Sequence, residues 1–197
     1  MSTTTTPPSP AREPGETAMP GRRGGLLVAA IVVVVTLGIA AALLLALLPG
    51  DGLPRNPVGV EAPTFTLQTL DGEQLALADL AGDPVVVTFW ASWCGTCKQD
   101  MPAIQRLADR WGPRGVSVIG IVIDDELGAA QAVAAEHQLR YPSAFDAAGE
   151  VARAYAVTGT PETYLIGADG RIAAMWIGPL RAAELELQLA IATEAAG

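Results

Sequence analysis

The sequence predicts an α/β domain, with helices on both faces of a sheet that contains parallel strands, preceded by one transmembrane helix. Two observations lead to this fold class. After residue 60, β-favouring apolar runs alternate with stretches of helical periodicity, as in strands joined by crossover helices. Before it, residues 26–48 form an apolar run without charge, which is long enough to cross a bilayer as a helix.

The flanks of this apolar run predict its orientation. A helix over 26–48 would reach about 34 Å, against a hydrocarbon core of about 30 Å. Arg22 and Arg23 precede it, and positive charge favours the cytoplasmic side, so the N-terminus is predicted inside and the domain outside the cell membrane. A cleaved signal peptide is the alternative, but the run exceeds the usual apolar core and no Ala-x-Ala site follows. Both interpretations export the domain.

Composition predicts the remaining boundaries. Residues 1–25 are rich in Thr, Pro, Ser and Gly and are expected to form a disordered cytoplasmic tail. Residues 49–60 form a Pro/Gly linker, which leaves 61–197 as the extracytoplasmic domain. The formal net charge of -9 argues against nucleic acid as a partner, because phosphate backbones require clustered Lys and Arg.

The first elements of the domain follow from local patterns. Alternating apolar residues on either side of Asp71-Gly72 predict a β-hairpin. Residues 84–91 form a nearly continuous β-favouring run, hence a buried strand, and the apolar spacing over 94–110 becomes helical. The later predicted elements are a buried strand at 115–123, helices at 126–138 and 150–156, a hairpin turning at 168–170, and a final helix at 181–195. The acidic run 124–126 is expected to cap a helix.

Cys94 and Cys97 form the one strong chemical motif, a C-x-x-C pair. Cys94 falls where a buried strand ends and a helix begins, so free N–H groups and the helix dipole favour its thiolate. Cys97 lies one turn later, close enough for a disulfide, and is expected to be more buried. The pattern predicts a redox pair, with Cys94 as the attacking thiol and Cys97 as the resolving thiol.

A structural disulfide and a metal site are the alternatives. Bridges that staple a fold usually close longer loops. A metal would need two more ligands, and the chain offers only His137, at the predicted end of a helix. Thiols outside the cytoplasm are readily oxidised, so the predicted export favours redox chemistry. We expect no metal, and no cofactor beyond the redox-active Cys94–Cys97 disulfide.

Two segments carry a family resemblance. VVVTFWASWCGTCKQDMP and GTPETYLIGADGRI, together with the predicted anchor, resemble the ResA/TlpA/CcmG (DsbE) group of membrane-anchored thiol–disulfide oxidoreductases. The resemblance runs from about residue 61 to the C-terminus. It implies a thioredoxin-like fold with an added N-terminal β-hairpin, and many members of the group serve cytochrome c maturation.

The resemblance also implies roles for single residues. Cys94 corresponds to the nucleophile and Cys97 to the resolving cysteine. Pro161 corresponds to a cis-proline whose loop faces the cysteines, although by itself it would suggest an ordinary turn. Thr160, just before it, would offer backbone hydrogen bonds to a substrate strand. Trp93 is expected to line the docking surface, whereas Trp90 is expected in the core and Pro102 to kink the active-site helix.

The sequence departs from thioredoxins at Thr88. Thioredoxins carry there a buried Asp that assists proton transfer to the resolving cysteine, and a Thr cannot act as a base. Asp100 falls where the group often has a Glu, and Glu162 follows the proline, so these two are the candidates for acid–base work. The alternatives are a solvated helix-face residue for Asp100 and an exposed loop acid for Glu162.

The predicted function is reduction of disulfides in a specific exported protein, such as apocytochrome c, with electrons from a membrane donor of thiol type. An oxidase, or a reductase for other envelope proteins, stays open. A peroxiredoxin is disfavoured because Ala91 stands where a Thr or Ser is needed three residues before Cys94. A copper-binding chaperone of the same fold would need C-x-x-x-C spacing and a well-placed His.

Overall fold

The computed structural model describes residues 22–46, 53–54 and 56–196. The chain divides after residue 50 into two units, which are considered separately. Most of the predicted tail (1–21), the last two residues of the predicted anchor (47–48), part of the predicted linker (49–52 and 55) and residue 197 lie outside the described residues.

The described residues of the first unit form the helix α1 (Arg22–Ala46). The hydroxyl of Thr36 donates to the carbonyl of Val32, so this hydroxyl is paired within the helix. Among the residues whose side chains are described, no helix has both the length and the apolar character to cross a membrane. The predicted anchor at 26–48 extends beyond those residues and stays a prediction.

The second unit alternates strands and helices. Its strands are β1 (Thr66–Gln68), β2 (Gln74–Ala76), β3 (Val85–Trp90), β4 (Ser117–Val122), β5 (Ser143–Phe145), β6 (Glu162–Ile166) and β7 (Ile172–Ile177). Its helices are α2 (Gly95–Trp111), α3 (Leu127–Glu136), α4 (Glu150–Ala154) and α5 (Ala182–Ala196). Short 3₁₀ turns occupy Leu77–Leu80 and Gly112–Arg114.

The main sheet has the strand order β5-β4-β3-β6-β7. β3, β4 and β5 are parallel, whereas β6 and β7 run antiparallel to their neighbours. β3 is the central strand and all six of its residues are buried, which explains its continuous apolar sequence. The order and directions of the strands make this a thioredoxin-like α/β fold.

Alternate residues of β3 supply two apolar layers. Val85, Val87 and Phe89 pack on one face with Tyr155 and Tyr164. Val86 points to the other face, where α2 and α5 contribute Ile104, Leu107, Trp111, Leu185 and Leu189. Helices therefore cover the sheet on both faces, and α2 is held along its length by an apolar layer.

Three local features differ from the sequence expectations. β5 was not predicted, since it has only three residues and follows a proline. The segment after Gly72 pairs with β1 only over β2 and then turns as the 3₁₀ segment Leu77–Leu80. Residues of the predicted linker also join the domain: the N–H of Leu53 donates to the carbonyl of Ala154, and that of Gly59 to Ile172.

Candidate active site

The two cysteines lie at the N-terminal end of α2 and are joined by a disulfide. Cys94 is the N-cap residue, and its Sγ accepts a hydrogen bond from the N–H of Cys97 at 3.1 Å. Cys94 is 5% exposed and Cys97 is 1% exposed, so Cys94 is the more accessible sulfur. An N–H donor at Sγ favours a negative charge on Cys94 once the bond is reduced.

The segment from β3 to Cys94 is held by the loop that follows β4. Ser92 donates its hydroxyl to Asp125 Oδ1 at 2.7 Å and its N–H to Asp125 Oδ2. The indole N–H of Trp93 donates to the carbonyl of Asp124 at 2.9 Å. Asp125 also accepts from the N–H of Glu126, so it joins the start of α3 to the active-site segment.

The role of this acidic run was missed in part by the sequence analysis, which expected helix capping alone. Ser92 and Asp125 are 33 residues apart. The signal that could have found them is a polar Ser beside the motif together with an Asp in the loop that follows the neighbouring parallel strand. The carboxyl ends of parallel strands meet at one edge of a sheet, where sites commonly form.

Trp90 lies in the core, as predicted, whereas Trp93 lies at the surface and its role in docking stays a prediction. Trp93 is 63% exposed and lines a groove of about 560 Å³ whose other wall includes Glu126, Arg153 and Val157. Trp90 is 2% exposed and packs with Cys94 in an apolar cluster. Trp93 therefore presents an aromatic surface directly beside the accessible cysteine.

The peptide bond between Thr160 and Pro161 is cis, the form that the resemblance implies. The register between β3 and β6 aligns Phe89 with Glu162. Continued by one residue, it places Pro161 opposite Trp90, at the edge where the chain leads to Cys94. The carbonyl of Pro161 accepts from the N–H of Gly178 at 2.8 Å, which fixes this loop to the end of β7.

Glu162 is the first residue of β6 and is 1% exposed, so the alternative of an exposed loop acid is wrong. Its Oε1 accepts from the N–H of Thr158 at 2.9 Å and from its hydroxyl at 2.7 Å. Its Oε2 lies 3.0 Å from the hydroxyl of Tyr164, which is also 3.0 Å from the carbonyl of Tyr155. Burial, and then the charge of Glu162, raise the pKa of Tyr164.

Asp100 lies on α2, three residues after Cys97, and is half-buried. Its Oδ2 accepts a hydrogen bond from the N–H of Leu180 at 2.9 Å. The side chain is thus partly exposed on the helix and also bonded to the segment after β7. Pro102 lies inside α2, two residues further on.

Thr88 is buried on β3, and its hydroxyl lies 3.3 Å from that of Thr163 on β6. It therefore has a hydroxyl partner at the position where thioredoxins carry an acid. His137 follows α3 as its C-cap residue. Across the part of the chain that the structure describes, no group of three His, Cys, Asp or Glu side chains is arranged to hold a metal ion.

The fold and the cysteine pair agree with the comparison to protein families, in which the AhpC/TSA family matches residues 58–175. The chain belongs to this family. It is 32% identical over 115 residues to the thiol-disulfide oxidoreductase ResA of Bacillus thuringiensis, a match that covers 58% of this chain and 66% of that protein.

Solved structures extend the likeness. One is a Chlorobium tepidum protein assigned to the thiol:disulfide interchange proteins DsbE, with a TM-score of 0.65 and 30% identity over 72% of this chain and 99% of that chain. Another is a secreted Mycobacterium tuberculosis disulfide oxidoreductase homologous to DsbE, with a TM-score of 0.58 and 29% identity over 64% of this chain and 95% of that chain. The chain is a thioredoxin-like thiol–disulfide oxidoreductase of the ResA/DsbE type.

Proposed function

We propose that this oxidoreductase works outside the cytoplasm, anchored by residues 26–48, and reduces disulfides of a specific client such as apocytochrome c. The observation that carries the proposal is the Cys94–Cys97 pair at the N-terminus of α2, with the cis Thr160–Pro161 bond at the same end of the β3–β6 strand pair. The export prediction supports the location. The resemblance to the ResA/TlpA/CcmG (DsbE) group, many members of which serve cytochrome c maturation, supports the type of client.

The proposed reaction has two exchanges. The thiolate of Cys94 attacks a client disulfide, forms a mixed disulfide and releases one client thiolate. The thiolate of Cys97 then attacks Cys94 Sγ, which releases the second client thiol and leaves the Cys94–Cys97 disulfide. Two electrons pass from the protein to the client, and a membrane donor of thiol type is proposed to restore the reduced pair.

Client docking is proposed to use the surface around Cys94. The client strand would lie against Thr160 and Pro161, where backbone hydrogen bonds give affinity without strict sequence choice. Trp93, exposed beside Cys94, would add aromatic contact area.

A trapping experiment tests the client. In Cys97→Ala the mixed disulfide on Cys94 cannot be resolved within the site, so the client should stay attached. Cys94→Ser is the matched control and should trap nothing. We expect the trapped species to contain a C-x-x-C-H peptide, and deletion of the protein to lower covalent haem in c-type cytochromes. A broad set of unrelated envelope proteins with normal cytochromes would contradict the cytochrome client and leave the oxidoreductase activity intact.

Topology and thiol roles have their own tests. The protein should stay with membranes after a carbonate wash, and an impermeant reagent should label Cys94 in intact reduced cells. A soluble protein that resists labelling would contradict the anchor and the location. In the reduced protein, Cys94 should alkylate with the lower pKa, because α2 and the N–H of Cys97 stabilise its thiolate. Faster alkylation of Cys97 would reverse the two roles.

A further inference from the structure

Exchange with a docked client requires that the cysteines and the cis-proline loop keep a fixed geometry. The cysteines are carried by α2, whereas Pro161 precedes β6, and these elements lie far apart in sequence. Small displacements of reacting groups have large effects on rate. Non-covalent contacts between α2 and the loop must therefore set their separation.

Two hydrogen bonds join α2 to this loop through the segment between β7 and α5. Asp100 on α2 accepts from the N–H of Leu180, and Gly178 in the same segment donates its N–H to the carbonyl of Pro161. Gly178 has a φ of 87°, in the left-handed region that glycine adopts without strain. The sequence therefore favours the backbone turn that lies between the two contacts. We call this chain of contacts, from Asp100 through Leu180 and Gly178 to Pro161, the Asp100 brace.

The brace has a direct relation to the redox pair. Asp100 is three residues from Cys97 on the same helix, so the two side chains move with one rigid element. Pro161 is buried and lies opposite the end of β3. A carboxylate that accepts a backbone N–H makes a stronger hydrogen bond than a neutral acceptor does. The brace thus connects the helix of the cysteines to the loop that is proposed to receive the client.

We propose that Asp100 is a positioning residue, which fixes the Pro161 loop relative to α2, the helix that carries the cysteines, through Leu180 and Gly178. The inference rests on the proposed exchange reaction at Cys94. It requires an acceptor oxygen at position 100 and no proton transfer. It therefore differs from the acid–base role that the sequence suggested for Asp100, and substitution can separate the two.

The test uses two substitutions in the full-length protein. Asp100→Asn removes the charge and keeps an acceptor oxygen, whereas Asp100→Ala removes both. Gln99→Ala, at an exposed neighbour on α2, is the matched control. For each variant, kcat and KM are measured for reduction of a disulfide-bonded peptide over a range of pH. The alkylation rate of Cys94 by iodoacetamide and the hydrogen exchange of the Leu180 amide complete the set.

We expect Asp100→Asn to stay within about twofold of the wild type, with the same pH profile. Asp100→Ala should raise KM for the peptide by about fivefold or more. This is the change in affinity that corresponds to the loss of one hydrogen bond. The Leu180 amide should exchange faster in Asp100→Ala only. Alkylation by iodoacetamide needs no docked strand, so its rate should be the same in all variants.

Several results would overturn the proposal. Equal losses in the Asn and Ala variants with a shifted pH profile would assign acid–base work to Asp100. Wild-type kinetics in Asp100→Ala would show that the brace has no effect. If Asp100→Ala does not fold, Leu180→Pro is compared with Leu180→Ala, because both lose the side chain that packs on the core and only the Pro variant loses the N–H donor. A KM higher in the Pro variant than in the Ala variant supports the proposal, and equal values refute it. A wild-type protein without reductase activity would contradict the proposed function and, with it, this role.

Discussion

Glu162 gives the sharpest test of how the buried polar groups support the site. In Glu162→Ala, the side chain that accepts three hydrogen bonds is lost from a position that is 1% exposed. Thr158 is at the surface and regains water, but the space beside Tyr164 is left empty. Hydrogen bonds to a charged acceptor contribute about 1.5–3 kcal/mol each, and solvent recovers part of this, so we expect a loss of about 3 kcal/mol.

Glu162→Gln should behave differently. The amide oxygen can accept both hydrogen bonds from Thr158, and the amide N–H can donate to the hydroxyl of Tyr164. That hydroxyl can then donate its own proton to the carbonyl of Tyr155, 3.0 Å away. Every contact stays paired and no charge is buried, so the free energy of unfolding should stay within about 1 kcal/mol of the wild type.

Urea unfolding of the oxidised protein measures both variants. A loss of about 3 kcal/mol corresponds to a fall in Tm of about 10 °C for a domain of this size. Glu186→Gln is the control, since this partly exposed side chain forms a salt bridge with exposed Arg110 and its loss should change stability by less than about 1 kcal/mol. Equal destabilisation by the Gln and Ala variants, or none by Ala, would refute the reasoning. If Glu162 performs acid–base work, the Gln variant will also change the pH dependence of exchange.

Two further predictions concern the core. Burial raises the pKa of all three tyrosines of the chain. The folded state therefore binds these protons more tightly than the unfolded state, so stability is fully present below about pH 10 and is lost as the pH rises above it. Absorbance at 295 nm should show no tyrosinate until the domain unfolds; titration of the native protein near pH 10 would contradict this. Gly120→Ala should cost about 1–3 kcal/mol, because a Cβ there would lie 2.5 Å from Ser143 Oγ and 2.6 Å from Trp90 Nε1. Ser143→Gly should recover part of that loss, and an additive double mutant would argue against the contact.

The predictable parts of the fold are the elements in which burial alone determines the pattern of apolar residues. The strand over 84–91 is buried on both faces, so its apolar run is continuous and its identity is plain. The helix after Cys94 is amphipathic because one face packs on the sheet and the other faces solvent. β5 was missed because three residues are too few to show a period, and its pairing with β4 comes from tertiary contact.

The site was predictable in its cysteines, and less so in its polar partners. A C-x-x-C motif between a strand and a helix is a local pattern, so Cys94 and Cys97 were found without the fold. Ser92, which donates to Asp125, is 33 residues away from it, and Leu180, which donates to Asp100, is 80 residues away, and no local pattern reports such contacts. Glu162 was found by resemblance, but its burial follows from the pairing of β6 between β3 and β7.

The N-terminal strands also affect how the domain behaves toward other copies of itself. β5 ends one side of the sheet, and its free edge is met by the segment after β1, where Thr69 bridges to Ala144 and the N–H of Leu70 donates to the carbonyl of Ser143. An uncovered parallel edge is a template for intermolecular strand pairing and aggregation. The β1–β2 segment therefore covers the edge of β5 that would otherwise be free to pair with another molecule. A shortened version of the protein that begins at β3 would keep the cysteines but expose the edge of β5. Its solubility would then be limited by association between copies rather than by failure to fold.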